Sequence, residues 1–239
     1  MRLSRFFTDQ PLSLGLHVLS QDHAHYIGRV LRYTSGDKLQ LFNGNGYEFI
    51  GHIIEINKKS ISILLETESM GLPDTSFKIH LGQAVSRGER MDWVIQKATE
   101  LGVTELTPLI TERCEVRMNA ERAEKRITHW RKIAISACEQ SGRSIVPIIH
   151  PILSLDAWSK QVSAQLKLVL QPSTNRLTDH LRPDTLALLI GPEGGLSSQE
   201  IVAAKQADFH TVCFGPRVLR TETAPIVALS IAQQLWGDF

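Results

Sequence analysis

Arg220 and Glu222 stand two residues apart in the stretch Gly215-Pro216-Arg217-Val218-Leu219-Arg220-Thr221-Glu222-Thr223-Ala224-Pro225. A strand-like run, Phe209 to Phe214, precedes it, and an apolar run at helical spacing, Ile226 to Trp236, follows. Charges crowded between two apolar elements cost free energy unless they meet a ligand or each other. The pair therefore reads either as site chemistry or as a salt bridge that holds the loop. Thr221 and Thr223 are placed to cap the helix. A second stretch, Thr185 to Ser198, has the same design. Leu186-Ala187-Leu188-Leu189-Ile190 reads as a buried parallel strand. It stops at Gly191-Pro192-Glu193-Gly194-Gly195, whose glycines permit positive φ and close approach to another group. Ser197 or Ser198 caps the next helix, with Glu200 spaced as the capping-box partner of Ser197. Strand, glycine loop and capped helix make a ligand crevice at the carboxyl edge of an α/β sheet.

The elements that must hold these loops begin after Met70-Gly71-Leu72-Pro73-Asp74, a short linker punctuated by Gly and Pro. Phe77 to Val85 and Glu105 to Ile110 read as strands. Between them, Glu89 to Leu101 carries Met91, Val94, Ile95, Ala98 and Leu101 on one helical stripe, with Gly102 as its stop. Asn119 caps a long helix to Ser141, preceded and lined by Arg113, Arg117, Arg122, Lys125, Arg126, Arg131 and Lys132. At its end, Gln140, Ser141 and Arg143 offer an amide, a hydroxyl and a guanidinium, groups that suit a base edge and a phosphate. Ile148 to Pro151, a helix from Ser154 to Val162, and a strand Leu166 to Leu170 ending in Gln171-Pro172 complete the pattern. Periodicity alone gives an open doubly wound sheet.

The first 70 residues differ. Asp22 to Tyr33 reads as a short helix with Tyr26, Val30 and Tyr33 near one face. Strands follow at Lys38 to Phe42, Tyr47 to Ile56 and Ile61 to Glu66, joined by the turns Asn43-Gly44-Asn45-Gly46 and Asn57-Lys58-Lys59-Ser60. Gly51 marks a bulge or a bend. Short strands and tight turns give a small barrel. Its charge is balanced, but Arg2 and Arg5 flank Phe6 and Phe7, and Arg29 and Arg32 fall on one helical face. Arginine forks suit phosphate, while Phe6 and Phe7 read as core. His23 and His25 have no partner set for a metal.

In order along the chain, an MRxxRFF-like start, the HxxxVLR-like helix, KATELGV (with Lys97 and Glu100), EQSGR, IGPEGGLS and FGPRVLRTETA resemble the knotted (SPOUT) methyltransferases. Within them they resemble the ribosomal RNA small subunit methyltransferase E (RsmE) family. Phe214 and Val218 depart conservatively from the leucine and isoleucine more usual there. The resemblance implies a PUA-like RNA-binding β-barrel over 1–72 and an α/β trefoil-knot methyltransferase domain over 73–239. It also implies a homodimer and methylation of uridine N3 in 16S ribosomal RNA with S-adenosylmethionine (SAM), with no metal. The cofactor residues it implies lie at three strand ends: Leu170, Gln171 and Pro172; Ile190, Gly191, Pro192, Glu193, Gly194 and Gly195; and Phe214, Gly215, Val218, Leu219, Arg220, Thr221, Thr223 and Ala224. RNA contacts are expected from Arg2, Arg5, Arg29, Arg32, Gln140, Ser141 and Arg143. Uracil N3 becomes a nucleophile only as its proton leaves, so Arg220 is the candidate to stabilise the developing charge. Glu222 is the candidate base, or else the group that orients Arg220.

Composition bounds the alternatives. A net charge of +1 argues against a tail-driven nucleic-acid binder, so RNA must meet local patches. Cys114, Cys138 and Cys213 form no CxxC and fit reduced thiols in a cytoplasmic protein. No apolar run reaches membrane-spanning length, and Met1-Arg2-Leu3-Ser4-Arg5 begins no signal peptide. Rival readings are another knotted methyltransferase acting on tRNA or ribose, a non-catalytic ribosome-assembly factor, and a nucleotide enzyme; GxxxxGK[ST] and GxGxxG are both missing for the last.

Overall fold

The computed structural model describes residues 3–73, 75–116, 119–171 and 175–239. They form two compact units, 1–74 with 138–146, and 75–137 with 147–239. A cut after residue 72 was the sequence expectation; the first unit also takes in Cys138–Val146, the last helical turn and the chain after it.

Unit 1 contains β1 (Arg5–Phe7), β2 (Gly15–Leu19), a helix α1 (Gln21–His23) that continues as π-helix over Ala24–Val30, β3 (Lys38–Phe42), β4 (Tyr47–Ile56) and β5 (Ile61–Met70). The strands order as β1-β3-β4-β5-β2, antiparallel except for β1 on β3. Among the described residues the ladder runs from β1 to β2 without a pairing that closes it. Buried residues alternate as the pleat requires: Leu39 and Leu41, Phe49 and Ile53, Ile61, Ile63 and Leu65, all in one cluster with Phe6. At Gly51 the register of β4 on β5 slips, and a Cβ there would lie 2.1 Å from the Leu64 carbonyl oxygen. The bulge thus needs glycine. Sequence reading missed β1 and β2. Of the three residues read near one face of the first helix, Tyr33 lies past the helix end and packs against the cluster. Ala24 and Ile27 are buried, whereas Tyr26 and Val30 are exposed, because the π-helical turn changes the periodicity.

Unit 2 contains β6 (Lys78–Ala84), α2 (Arg90–Glu100), β7 (Glu105–Ile110), most of α3 (Ala120–Ser141), β8 (Ile148–Ile149), β9 (Leu153–Ser154), α4 (Leu155–Gln161), β10 (Leu166–Leu170), β11 (Thr185–Ile190), α5 (Ser198–Gln206), β12 (His210–Val212) and α6 (Thr223–Trp236). Its seven strands are all parallel, in the order β12-β10-β11-β6-β7-β8 with β9 also on β7. The chain builds outward from β6 through β7, then crosses to the other side, where β11 inserts between β10 and β6. Leu186 to Ile190 are all buried, as a strand covered on both faces must be. Ala187 and Leu189 pack with Leu155 and Trp158 of α4 and Ile201 and Ala204 of α5. Strand order fixes neighbours and not threading, so the knot stays an implication of the resemblance. Among the described residues no helix is long and apolar enough to cross a membrane.

Candidate functional site

Parallel pairing brings three carboxyl ends to one edge. Val169 of β10 sits opposite Leu189 of β11, and Leu170 opposite Val212 of β12. The chain segments leaving these strands surround a cleft of about 950 Å³. It is lined by Leu170 and Gln171, by Ile190 through Leu196, and by Val212 through Glu222 with Ala224. Gly195 and Gly215 have φ of 68° and 86°, backbone that a side chain would strain.

The glycine loop is tied down from several sides. Ser197 Oγ accepts from the Glu200 N–H at 3.3 Å, and Glu200 Oε2 accepts from the Ser197 N–H at 2.8 Å, the expected capping box. Glu200 Oε1 also accepts from the Glu112 N–H, and Arg113 donates to the Gly194 carbonyl at 2.9 Å. Beneath the loop, the Thr221 hydroxyl donates to the Gly191 carbonyl at 2.8 Å. Gln83 of β6, with no solvent exposure, donates from Nε2 to Thr221 Oγ1 at 3.1 Å and to the Ala84 carbonyl at 3.1 Å.

The expected residues fall out as follows. Leu170, Gln171, Ile190, Gly191, Pro192, Glu193, Gly194, Gly195, Phe214, Gly215, Val218, Leu219, Arg220, Thr221 and Ala224 all line the cleft. Pro172 lies outside the described residues. Thr223 does not line it, being the exposed first residue of α6. Neither threonine caps that helix. Glu222 holds the cap position without a side-chain cap bond, because Thr221 is turned inward to Gly191.

The Arg220–Glu222 bridge considered from sequence does not form. Arg220 is exposed and, among the described residues, makes no salt bridge. Instead Glu222 Oε1 lies 3.9 Å from Nε of Arg90, whose Nη1 lies 2.6 Å from Glu193 Oε1. Arg90, the first residue of α2, thus stands between the two carboxylates at the cleft wall. Partial burial raises the pKa of Glu193, but its own backbone N–H, Arg90 and the Arg87 N–H outweigh that and hold it below the usual carboxylate range. Arg90 was missed because nothing local marks it. Cys213 and Pro216 were missed as liners although they lie inside the flagged stretch.

The expected RNA-facing residues divide. Arg2 and Arg117 lie outside the described residues. Arg5 is a correction: it is 8% exposed, pairs through Nη1 with Glu48, and donates from Nη2 to the Arg143 carbonyl at 2.9 Å and to Ser144 Oγ at 3.2 Å. Its one unpaired donor, Nε, is buried, so such a guanidinium presents nothing at the surface to a phosphate. Arg29 and Arg32 are exposed, but they do not share a helical face, since the helix ends at Val30 and Arg32 has φ 62°. Gln140 is exposed and Arg143 half-buried, both in unit 1, while the Ser141 hydroxyl oxygen is buried with no partner. His23 bonds Phe7 O and Ser20 Oγ rather than serving as a ligand.

A separate cluster in unit 2 joins His80, Glu105 and His150. His150 Nε2 lies 2.7 Å from Glu105 Oε2, and the two imidazoles stack at 5.1 Å and 21°. His80 Nε2 is already held by Thr107 and the Trp158 N–H. That arrangement suits a hydrogen-bonded pair better than a shared metal. Burial, with His150 adding and Glu105 opposing, pushes the His80 pKa down to about 4.

A parallel sheet with a cleft at its carboxyl edge, in a chain that also carries a small β unit, is the organisation of two-domain RNA methyltransferases. The model of the RNA methyltransferase domain matches residues 73–233, and that of the RNA methyltransferase PUA domain matches residues 19–66. Ribosomal RNA small subunit methyltransferase E of Buchnera aphidicola (subsp. Schizaphis graminum) is 39% identical over 92% of this chain and 91% of its own. The structure of that enzyme from Neisseria gonorrhoeae bound to S-adenosyl methionine superposes with a TM-score of 0.93 at 36% identity over the whole of both chains. A Legionella pneumophila methyltransferase solved with SAM gives 0.97 at 40%, again over both whole chains. The chain belongs to the ribosomal RNA small subunit methyltransferase E (RsmE) family.

Proposed function

We propose that this chain is a SAM-dependent methyltransferase that modifies N3 of a uridine in 16S ribosomal RNA. The observation that carries the reading is the cleft at the ends of β10, β11 and β12. It has the backbone and apolar lining that adenine and ribose need, from Gly191, Gly215, Leu170, Ile190 and Leu219. A buried, unpartnered Oε1 of Gln171, a cleft-lining residue, is an acceptor in want of a donor. When bound, SAM supplies a methyl group on a cationic sulfonium and needs no metal.

The protein's part is position and charge. Glu222 accepts the imide proton of N3. Arg220, exposed and free of Glu222, faces the charge that spreads onto O2 and O4. Arg90 sets the place of Glu222 and of the glycine loop together. Arg29, Arg32, Gln140 and Arg143 supply RNA contacts. The reading carries with it a PUA-like domain over 1–72, a knotted methyltransferase domain over 73–239, a homodimer and a cytoplasmic setting beside the ribosome.

The test is methyl transfer to small ribosomal subunits that lack the modification, with the product nucleoside identified by mass spectrometry. The expected product is N3-methyluridine. A 2′-O-methyl nucleoside would overturn the target atom, and the absence of SAM binding in calorimetry would overturn the enzyme reading altogether.

A further inference from the structure

We propose that Gln83, a residue that does not line the cleft, is a positioning residue for it. It fixes the direction of the Thr221 hydroxyl and so locks the loop before α6 onto the glycine loop. The inference rests on the reading of the cleft as a SAM site.

Three segments distant in sequence meet at this point: the end of β6, the start of the glycine loop and the loop before α6. Gln83 Nε2 donates to Thr221 Oγ1 at 3.1 Å, and the Thr221 hydroxyl donates onward to the Gly191 carbonyl at 2.8 Å. A threonine hydroxyl has one proton and rotates. With a donor already aimed at its oxygen, that proton is free to point only elsewhere, and Gly191 O is the acceptor in reach. The polarity of Gln83 is itself fixed. Its Nε2 lies 3.1 Å from the Ala84 carbonyl; turning the amide over would set oxygen against oxygen there and draw the threonine proton away from Gly191.

The arrangement breaks a local rule. Gln83 is wholly buried, yet its Oε1 has no hydrogen-bond partner. A buried unsatisfied carbonyl costs free energy, and a wholly buried strand position is more simply filled by an apolar side chain. Breaches of this kind concentrate where function requires them. Here the unpaired acceptor is the cost of presenting a fixed donor to Thr221. This separates a positioning role from a packing role. Replacing Gln83 with an apolar side chain of similar shape removes the unsatisfied oxygen, so stability holds or rises, while the cleft loses its lock.

The experiment uses the full chain without RNA. Thermal midpoints are measured without SAM, and SAM dissociation constants by calorimetry, for the wild type and for Gln83→Met, Thr221→Val, Thr221→Ser and the Gln83→Met/Thr221→Val double variant. The expected result for Gln83→Met is a midpoint within about 2 °C of wild type or above it, with SAM affinity down about tenfold. Thr221→Val loses a similar factor and Thr221→Ser keeps most of the affinity. The double variant binds no worse than the weaker single, since both cut the same chain of bonds. Wild-type affinity in Gln83→Met, or losses that multiply in the double variant, overturns the proposal. So does a fall in midpoint that tracks the fall in affinity. Should Gln83→Met not fold, the Val and Ser variants at 221 decide: equal affinities overturn the hydroxyl's part and the proposal with it. If the wild type itself does not bind SAM, the cofactor reading fails, a result distinct from any of these.

Discussion

Glu222 lies 3.9 Å from Arg90 and, among the described residues, forms no ion pair with Arg220, and this changes what each charge at the cleft is for. Glu222→Gln keeps the shape and removes the proton acceptor. The expected outcome is a kcat about 10²- to 10⁴-fold lower, with SAM affinity within about threefold of wild type. Loss of affinity with kcat preserved at saturating SAM would make Glu222 a loop tether instead. Thiol labelling offers a second check. Cys213 lines the cleft and is half-buried. Cys138 is buried, and burial, against the pull of Arg143 and Arg5, pushes its thiol up to about 11. Alkylation read by peptide mass spectrometry should slow at Cys213 when SAM is added and stay negligible at Cys138 either way. Arg5 belongs to stability: removing one partner of a buried pair leaves the other charge uncompensated. Arg5→Ala should therefore cost about 3–5 kcal/mol in denaturant unfolding.

Among the elements, those whose signal is local were legible from sequence. β3, β4, β7 and β10 run over the residues their apolar patterns marked, and the Ser197 capping box forms as spaced. Ser197→Ala should lower stability by about 1 kcal/mol and weaken SAM binding, because α5 begins where the glycine loop ends; urea titration and calorimetry on the same sample check both. β1 and β2 were not legible. Three residues are too few to show a period, and β2 turns Leu16 and Val18 outward, so its pattern points away from the core it belongs to. Arg32 illustrates another limit: helical spacing put it beside Arg29, but a π-helical turn and a positive φ took it elsewhere.

For the whole molecule, the His80 cluster predicts how unit 2 answers to acid. In the folded chain His80 titrates at about 4 against an ordinary 6.5. Between those values the unfolded chain binds a proton that the folded chain refuses. Stability therefore falls as pH drops from about 6.5 towards 4. Urea midpoints across that window should decline in the wild type and decline less in His80→Gln.

The amino-acid sequence by itself determined the three loops and the strands that carry them. Each is written in consecutive residues, as an apolar run that ends at the dipeptide Gln-Pro or at a glycine turn and, for two of the three, a following helix. Family membership was legible for the same reason, since its motifs are short and ordered along the chain. Only the tertiary structure decided which charges meet. Arg90 reaches Glu193 and Glu222, Gln83 reaches Thr221, and Arg5 disappears into a pair with Glu48. The first three contacts depend on β11 entering between β10 and β6, the last on β1, β3 and β4 lying side by side, and each joins residues far apart in sequence. Periodicity reports the face a residue presents to its neighbours along one element, and carries no information about which distant element will stand opposite.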